Sequence, residues 1–244
     1  MPNYSRSSKS IPCGKVAETF FSIQGEGIFL GTPQVFIRMY GCNIRCSYCD
    51  TMYATTGGKY RVMSVAAVVH EAIKLDINRC GWVTFTGGEP LLQKVYTRAA
   101  AEMLRNKGYR VMLETNGTLY NELKSSISVY DHVSMDIKLP SQCGLSLWEQ
   151  HNKFLSIAKK KAGVKVVVDP STPVGEFITA LKLVGKYKPA FGIVLQLRSD
   201  RKTGLPVCDV LNPGIMNLFS LTQKYCKGVE VRVLTQNHKV WKIK

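Results

Sequence analysis

Within eight consecutive residues, Cys42-Asn43-Ile44-Arg45-Cys46-Ser47-Tyr48-Cys49, the chain carries three thiols in a C-x3-C-x2-C spacing. Thiolates are soft anionic ligands, and three of them on one tight curl can each take one iron of a cubane cluster. The other five cysteines, Cys13, Cys80, Cys143, Cys208 and Cys226, are isolated in sequence. With no fourth thiol at hand, one iron of such a cluster is left open to a small molecule. A structural zinc site fits less well, because it takes four ligands, usually as two C-x2-C-like knuckles, and the second knuckle is missing. A redox pair and a chance gathering of buried thiols are the remaining readings, and burial as inert thiols is the expectation for the five isolated cysteines.

Other polar clusters recur at intervals: Gly87-Gly88-Glu89-Pro90, Thr115-Asn116-Gly117, Lys138 and Arg198-Ser199-Asp200. In the first of these, two glycines permit close backbone approach, Glu89 offers a carboxylate, and Pro90 stops a strand. These clusters act together only if the fold brings them to one rim. Short β-branched and aromatic runs predict strands over 34–39, 82–86, 110–114, 132–136, 164–168, 192–197 and 229–233. Helical periods over 65–75, 94–107, 147–160, 173–186 and 214–225 lie between them, with Gly108 and Pro189 as stops and a faint further period over 120–129. Alternating strands and helices imply a parallel sheet, whose chemistry sits beyond the carboxyl ends of the strands. Each polar cluster follows a predicted strand end, which predicts an α/β partial barrel with its site on that face. Residues 236–244 leave no room for another element and read as a tail that docks through Val240, Trp241 and Ile243.

The chain has 244 residues, of which 45% are hydrophobic and 20% charged, ordinary values for a core that folds without staples. Residues 1–12, rich in Ser, Lys and Arg, read as a flexible basic tail, and 13–244 as one domain. No apolar run approaches the roughly 20 residues that cross a bilayer, and no secretion signal opens the chain. Together with the clustered thiols, this points to the reducing cytoplasm. Lys and Arg number 33 against 17 acids, a balance of +16 that attracts nucleic acid, phosphates or carboxylated small molecules without choosing among them. Runs such as Lys159-Lys160-Lys161 read as solvated helix faces.

The cysteine loop, followed at the next strand end by Gly87-Gly88-Glu89-Pro90, resembles the radical S-adenosylmethionine (SAM) superfamily. Four flanking features are similar to one branch of it: Ile23-Gln24-Gly25-Glu26-Gly27, Arg38, Cys49-Asp50-Thr51 and Gln236-Asn237-His238-Lys239. That branch contracts the ring of 6-carboxytetrahydropterin to a carboxylated 7-deazaguanine, a precursor of queuosine and archaeosine in tRNA, and the likeness runs from Phe20 to the end. The resemblance implies a radical SAM partial barrel with a [4Fe–4S] cluster on Cys42, Cys46 and Cys49, and SAM chelated to the open iron. It implies Mg²⁺ held with help from Thr51, and SAM lined by Gly88, Glu89, Ser134, Asp136, Lys138, Gln196 and Arg198. Ser134-Met135-Asp136-Ile137-Lys138 departs from the family's usual Ser-Pro-Lys, so which of Ser134, Asp136 and Lys138 meets the nucleoside stays open. For the pterin it implies Ile23, Gln24, Gly25, Glu26, Arg38, Thr86, Glu114, His238 and the terminal carboxylate of Lys244. Glu114 reads equally as a helix-entry cap. The implied reaction is reductive cleavage of SAM, hydrogen abstraction from C6 of the pterin, ring contraction and loss of ammonia. A flavodoxin- or ferredoxin-like reductant and a homodimer are implied, with no membrane or nucleic-acid partner.

A glycyl-radical activase shares the cysteine loop without the flanking features, and would need a groove for a protein loop in place of a pterin pocket. A metal-stabilised RNA-binding module draws support from the +16 charge but shows no RRM, KH or zinc-knuckle signature. Alanine at Cys42, Cys46 or Cys49 is expected to abolish iron loading, whereas Cys80→Ala and Cys226→Ala keep it. Iron and sulfide analysis after anaerobic reconstitution checks this, and full loading in any of the first three variants would remove the cluster from this loop.

Overall fold

The computed structural model describes residues 12–244, so the expected basic tail lies, but for Pro12, outside the described residues. Nine strands form one sheet: β1 (Cys13–Ile23), β2 (Pro33–Met39), β3 (Arg61–Ser64), β4 (Trp82–Gly87), β5 (Arg110–Thr115), β6 (His132–Asp136), β7 (Ala162–Val168), β8 (Ile193–Leu197) and β9 (Val231–Leu234). Their order is β3-β1-β2-β4-β5-β6-β7-β8-β9. From β2 through β9 the neighbours run parallel, and these seven are the strands the apolar runs predict. Parallel strands are covered on both faces, so they read as nearly unbroken apolar runs. All five residues of β8 and the first five of β4 are buried.

The helices are α1 (Val65–Leu75), α2 (Lys94–Arg105), α3 (Tyr120–Lys124), α4 (Pro140–Cys143), α5 (Trp148–Ala158), α6 (Val174–Tyr187), α7 (Pro213–Tyr225) and α8 (Asn237–Val240). Local chemistry sets several starts. The Ser64 side chain accepts from the Ala67 amide ahead of α1, and Asn212 accepts from the Gly214 amide with Pro213 in the first turn of α7. The faint period over 120–129 resolves into α3 and a 3-10 turn at Ile127–Val129.

Four elements depart from the sequence reading, the first being α4, a single turn opened by Pro140 that is too short to show a helical period. β1 and β3 pair antiparallel at one edge, where β1 carries Lys15 and Glu18 among its apolar residues and is interrupted by a bulge between Val16 and Glu18. That mixed pattern hides a strand that a one-sided edge permits. At the other end, the stretch expected to be element-free contains α8.

The sheet does not close on itself. The gap between β1 and β9 is filled by residues 24–32 and by the C-terminal segment, with the Asn237 amide donating to the Gly25 carbonyl at 2.9 Å and Arg232 Nη1 to the Ile28 carbonyl at 3.2 Å. Below, Phe29 plugs the barrel. Its ring lies 5.0 Å from Trp82, 4.8 Å edge-on to His132 and 6.3 Å from Phe191, and Arg110 sits over Trp82 at 4.4 Å.

Burial pushes the His132 imidazole down from 6.5 to about 4, so it stays neutral among these rings. Between pH 6.5 and 4 the unfolded chain binds a proton there that the folded chain refuses, and stability therefore falls as pH falls through that window. The melting temperature is expected to drop less steeply over this window in His132→Leu than in the wild type. Identical slopes would show that the site carries no such linkage.

Candidate active site

The strand register gathers the polar residues inside the barrel mouth. Arg38 stands opposite Thr86 on β2 and β4, Glu114 opposite Ser134 on β5 and β6, and Asp136 opposite Lys165 on β6 and β7. The side chains line a cavity of about 290 Å³ together with the cysteine loop. Of the residues predicted from sequence, Ile23, Gln24, Gly25, Glu26, Arg38, Cys42, Cys46, Cys49, Thr51, Thr86, Gly88, Glu114, Ser134, Asp136, Lys138, His238 and Lys244 all face it.

The base of the cysteine loop is laced to the end of β4. Gly88 donates its amide to the Met39 carbonyl at 3.2 Å and Glu89 donates to the Gly41 carbonyl at 2.8 Å. A side chain at Gly87, where φ is +124°, would strike the Met39 carbonyl at 2.3 Å, and one at Gly88 would strike the Gly41 carbonyl at 2.0 Å. Glycine is required at both by this approach. Burial pushes the Cys46 thiol up to about 11 and raises Cys42 as well, so both are protonated thiols until a metal's positive charge displaces the protons.

Glu89, expected to meet SAM, lies beneath the cavity. Its carboxylate accepts from the Thr115 hydroxyl, the Asn116 amide and the Leu91 amide, and burial raises it to about 7 against the pull of those donors. Two further SAM expectations also fall outside the cavity wall. Gln196 is fully buried, with Nε2 donating to the Leu234 carbonyl at 3.1 Å, and Arg198 pairs with Asp169 at 2.6 Å. A place at a strand's carboxyl end puts a residue on the rim without turning its side chain inward, and here β9 and the end of β7 claim these two.

On the β1 side, Glu114 accepts from Gln24 Nε2 at 2.7 Å and from Thr86 Oγ1 at 2.6 Å, leaving the helix-cap reading without support. Arg38 binds Glu18 at 2.9 Å and lies over the Phe20 ring, which stacks on Phe36 with centroids 5.1 Å apart. Lys244 joins the same carboxylate at 2.9 Å while its main-chain oxygen accepts from Ser22 Oγ at 2.7 Å.

Sequence reasoning missed Lys165. Glu26 pairs with it, and Asp136 lies 3.5 Å away. Burial presses both Lys165 and Lys138 toward neutrality, but Glu26 beside the first and Asp136 beside the second outweigh it and hold both ammonium groups firmly charged. Burial likewise pushes Glu26 up, yet Lys165 and His238 bring it down to about 2. The available signal was a lysine inside the apolar run Val164-Lys165-Val166-Val167-Val168, on the same strand face as Val167. Asp50 and His238 complete this corner. With Glu26 they form a group whose donor atoms lie within 4.8 Å of one another, able to hold a cation, and Lys239 reaches Asp50 at 3.0 Å.

Residues 36–173 match the radical SAM superfamily. Among known proteins, the chain is 32% identical to the 7-carboxy-7-deazaguanine synthase of Geobacter sulfurreducens, over 94% of this chain and 98% of that protein. It is also 32% identical to the protein of the same name from Thermoplasma acidophilum, over 92% and 95%. The crystal structure of QueE from Escherichia coli superposes with a TM-score of 0.61 at 20% identity, covering 91% of this chain and 93% of that one. Streptococcus suis SuiB bound to S-adenosylmethionine superposes at 0.53 and 15% identity, covering 82% and 46%. At these identities the two structures speak for the fold alone.

Gly25 is where the C-terminal segment seats, since a Cβ there would meet the His238 backbone nitrogen and Cβ at 2.5 Å. Gly25→Ala is expected to cost about 1–3 kcal/mol of stability by forcing that segment away. Trypsin cleavage after Lys239 and Lys242 should speed up in the variant, and an unchanged digestion rate would show that the segment does not depend on this contact.

Proposed function

Since the chain belongs to the 7-carboxy-7-deazaguanine synthases of the radical SAM superfamily, we propose that its cavity binds SAM against the cysteine loop and a carboxylated tetrahydropterin against β1, β2, β4 and β5. One observation carries this reading: three thiols and the Gln24–Glu114–Thr86 and Arg38 constellation share a single cavity. The donor set suits the groups that the family implies. Cys42, Cys46 and Cys49 would hold three irons of a [4Fe–4S] cluster and leave the fourth to SAM. Thr51, with Asp50 beside it on the cavity wall, offers the oxygen ligands that Mg²⁺ prefers. When bound, the reduced cluster and SAM supply the carbon-centred radical that abstracts hydrogen from the substrate.

The chain's own residues then bind and orient. The Glu114 carboxylate is placed to accept from the amino and ring N–H groups of a pterin edge once Gln24 and Thr86 yield it. Arg38 offers a planar fork for the substrate carboxylate. Gly88, Ser134, Asp136 and Lys138 are the remaining candidates to line SAM. Phe20, Phe36 and Ile44, with Ile23, Met52 and Val167, make the apolar part of the wall and exclude water from the reacting centre. No helix among the described residues is long and apolar enough to cross a membrane. A flavodoxin- or ferredoxin-like electron donor, a homodimer and the cytoplasm complete the proposal. An acidic donor is favoured by the +16 charge.

Anaerobic protein given dithionite, SAM, 6-carboxytetrahydropterin and Mg²⁺ is expected to yield 7-carboxy-7-deazaguanine, read by mass spectrometry. SAM cleavage without that product would overturn the substrate assignment. Thr51→Ala is expected to weaken Mg²⁺ stimulation of turnover more than it weakens SAM cleavage, and an unaltered Mg²⁺ dependence would take Thr51 out of the metal site.

A further inference from the structure

Asn116 follows the end of β5, 74 residues from the first cluster thiol, and every hydrogen-bonding group it owns is used. Its backbone amide donates to Glu89 Oε2 at 2.8 Å. Its carbonyl faces His151 Nε2 at 3.2 Å, and because burial holds that imidazole down at about 4, neutral, Nε2 must carry the proton. Its Oδ1 accepts from the Thr118 hydroxyl at 2.7 Å and the Thr118 amide at 3.2 Å. Its Nδ2 donates to Asn43 Oδ1 at 2.9 Å and reaches Cys42 Sγ at 3.8 Å. Asn43 in turn donates to Thr118 Oγ1 at 2.9 Å.

These contacts fix which way the side-chain amide points. Rotating it by half a turn would set Oδ1 against the Asn43 oxygen and the sulfur, and Nδ2 against the Thr118 amide donor, stranding buried groups on both sides. The side chain is held with an N–H aimed at the sulfur of one cluster ligand, and neither the amide nor its clamps can turn away without loss.

We infer that Asn116 is a positioning residue that tunes the electron affinity of the cluster through its Nδ2–H···Sγ bond to Cys42. This rests on the cluster reading above. Adding an electron to an iron–sulfur cluster raises the negative charge on its thiolate sulfurs, and a hydrogen bond to one of them stabilises the reduced form. The network around Asn116 therefore eases entry of the electron on which SAM cleavage depends.

The test is the midpoint potential of the reconstituted holoprotein, measured by redox titration with EPR detection, in Asn116→Ala and Asn116→Asp beside the wild type. Four irons per chain are expected to remain. The potential should move to more negative values, by up to about tenfold in the one-electron equilibrium, which is about 59 mV. A variant that keeps its four irons and the wild-type potential overturns the inference. Should neither variant assemble a cluster, Thr118→Val, which removes one of the two donors orienting the amide, takes their place with the same expected direction, and a wild-type potential there overturns it. A wild-type protein that binds no iron would instead refute the cluster reading itself.

Discussion

Two ammonium groups, on Lys138 and Lys165, are largely withdrawn from solvent inside the barrel mouth, and Asp136 and Glu26 face them and hold them charged. Taking a charge out of water costs several kcal/mol, and stripping a buried pair of one partner costs about 3–5 kcal/mol. The partners come from widely separated stretches of chain, Glu26 on the segment after β1 and Lys165 on β7, so the pair also stitches the two sides of the open barrel together. Around it, Gln236 Nε2 donates to Glu26 at 2.7 Å and His238 lies 3.7 Å from the same carboxylate. The C-terminal segment is thus part of the charge balance of the site as well as its cover.

That balance bears on which ligands suit the cavity. Its wall carries Arg38, Arg45, Lys138, Lys165 and Lys244 against Glu26, Asp50, Glu114 and Asp136, so nearly all of the +16 stands elsewhere in the chain. The interior is poised near neutrality, and Arg38, Lys138, Lys165 and Lys244 each already face a resident carboxylate. An incoming carboxylate must take over a cation from a resident carboxylate, as at Arg38, where Glu18 now occupies the guanidinium. Selection then depends on matching the geometry of resident pairs, because gross attraction between a basic cavity and any anion is weak here.

The parallel half of the fold was legible because burial on both faces leaves its mark as apolar runs, and the strand-end clusters were legible because glycines and polar residues interrupt those runs. β1 was hidden by the charges it carries beside the short edge strand β3, Lys15 and Glu18 among them. Gln196 and Arg198 came to the SAM site through the family resemblance, and it is the neighbouring strand ends, Leu234 for the first and Asp169 for the second, that decide where these side chains turn. Lys165 went unread for the opposite reason. A single lysine in a valine run looks like an outward-facing exception until the register sets it across from Asp136. Partners 29 or 139 residues away, Asp136 and Glu26, supply the meaning of such a residue, and no local pattern contains them.

The segment between β1 and β2 ties these observations together. Its first residues, Gln24 to Glu26, meet Glu114, Asn237 and Lys165 at the mouth, while Phe29 is wedged among Trp82, His132 and Phe191 at the opposite end of the barrel. The Gly31 amide closes back on the Gln24 carbonyl at 2.8 Å and the Gln24 amide on the Thr32 carbonyl at 2.8 Å, so the segment behaves as one hydrogen-bonded loop. A plug at the bottom and substrate-facing groups at the top are then two ends of one body. Aromatic packing around Phe29 resists its withdrawal, and the cost of unpairing Glu26 from Lys165 resists its displacement at the mouth. The loop is held by unlike forces at its two ends, apolar contact below and ion pairing above, which is why a sheet that never closes can still present a rigid cavity.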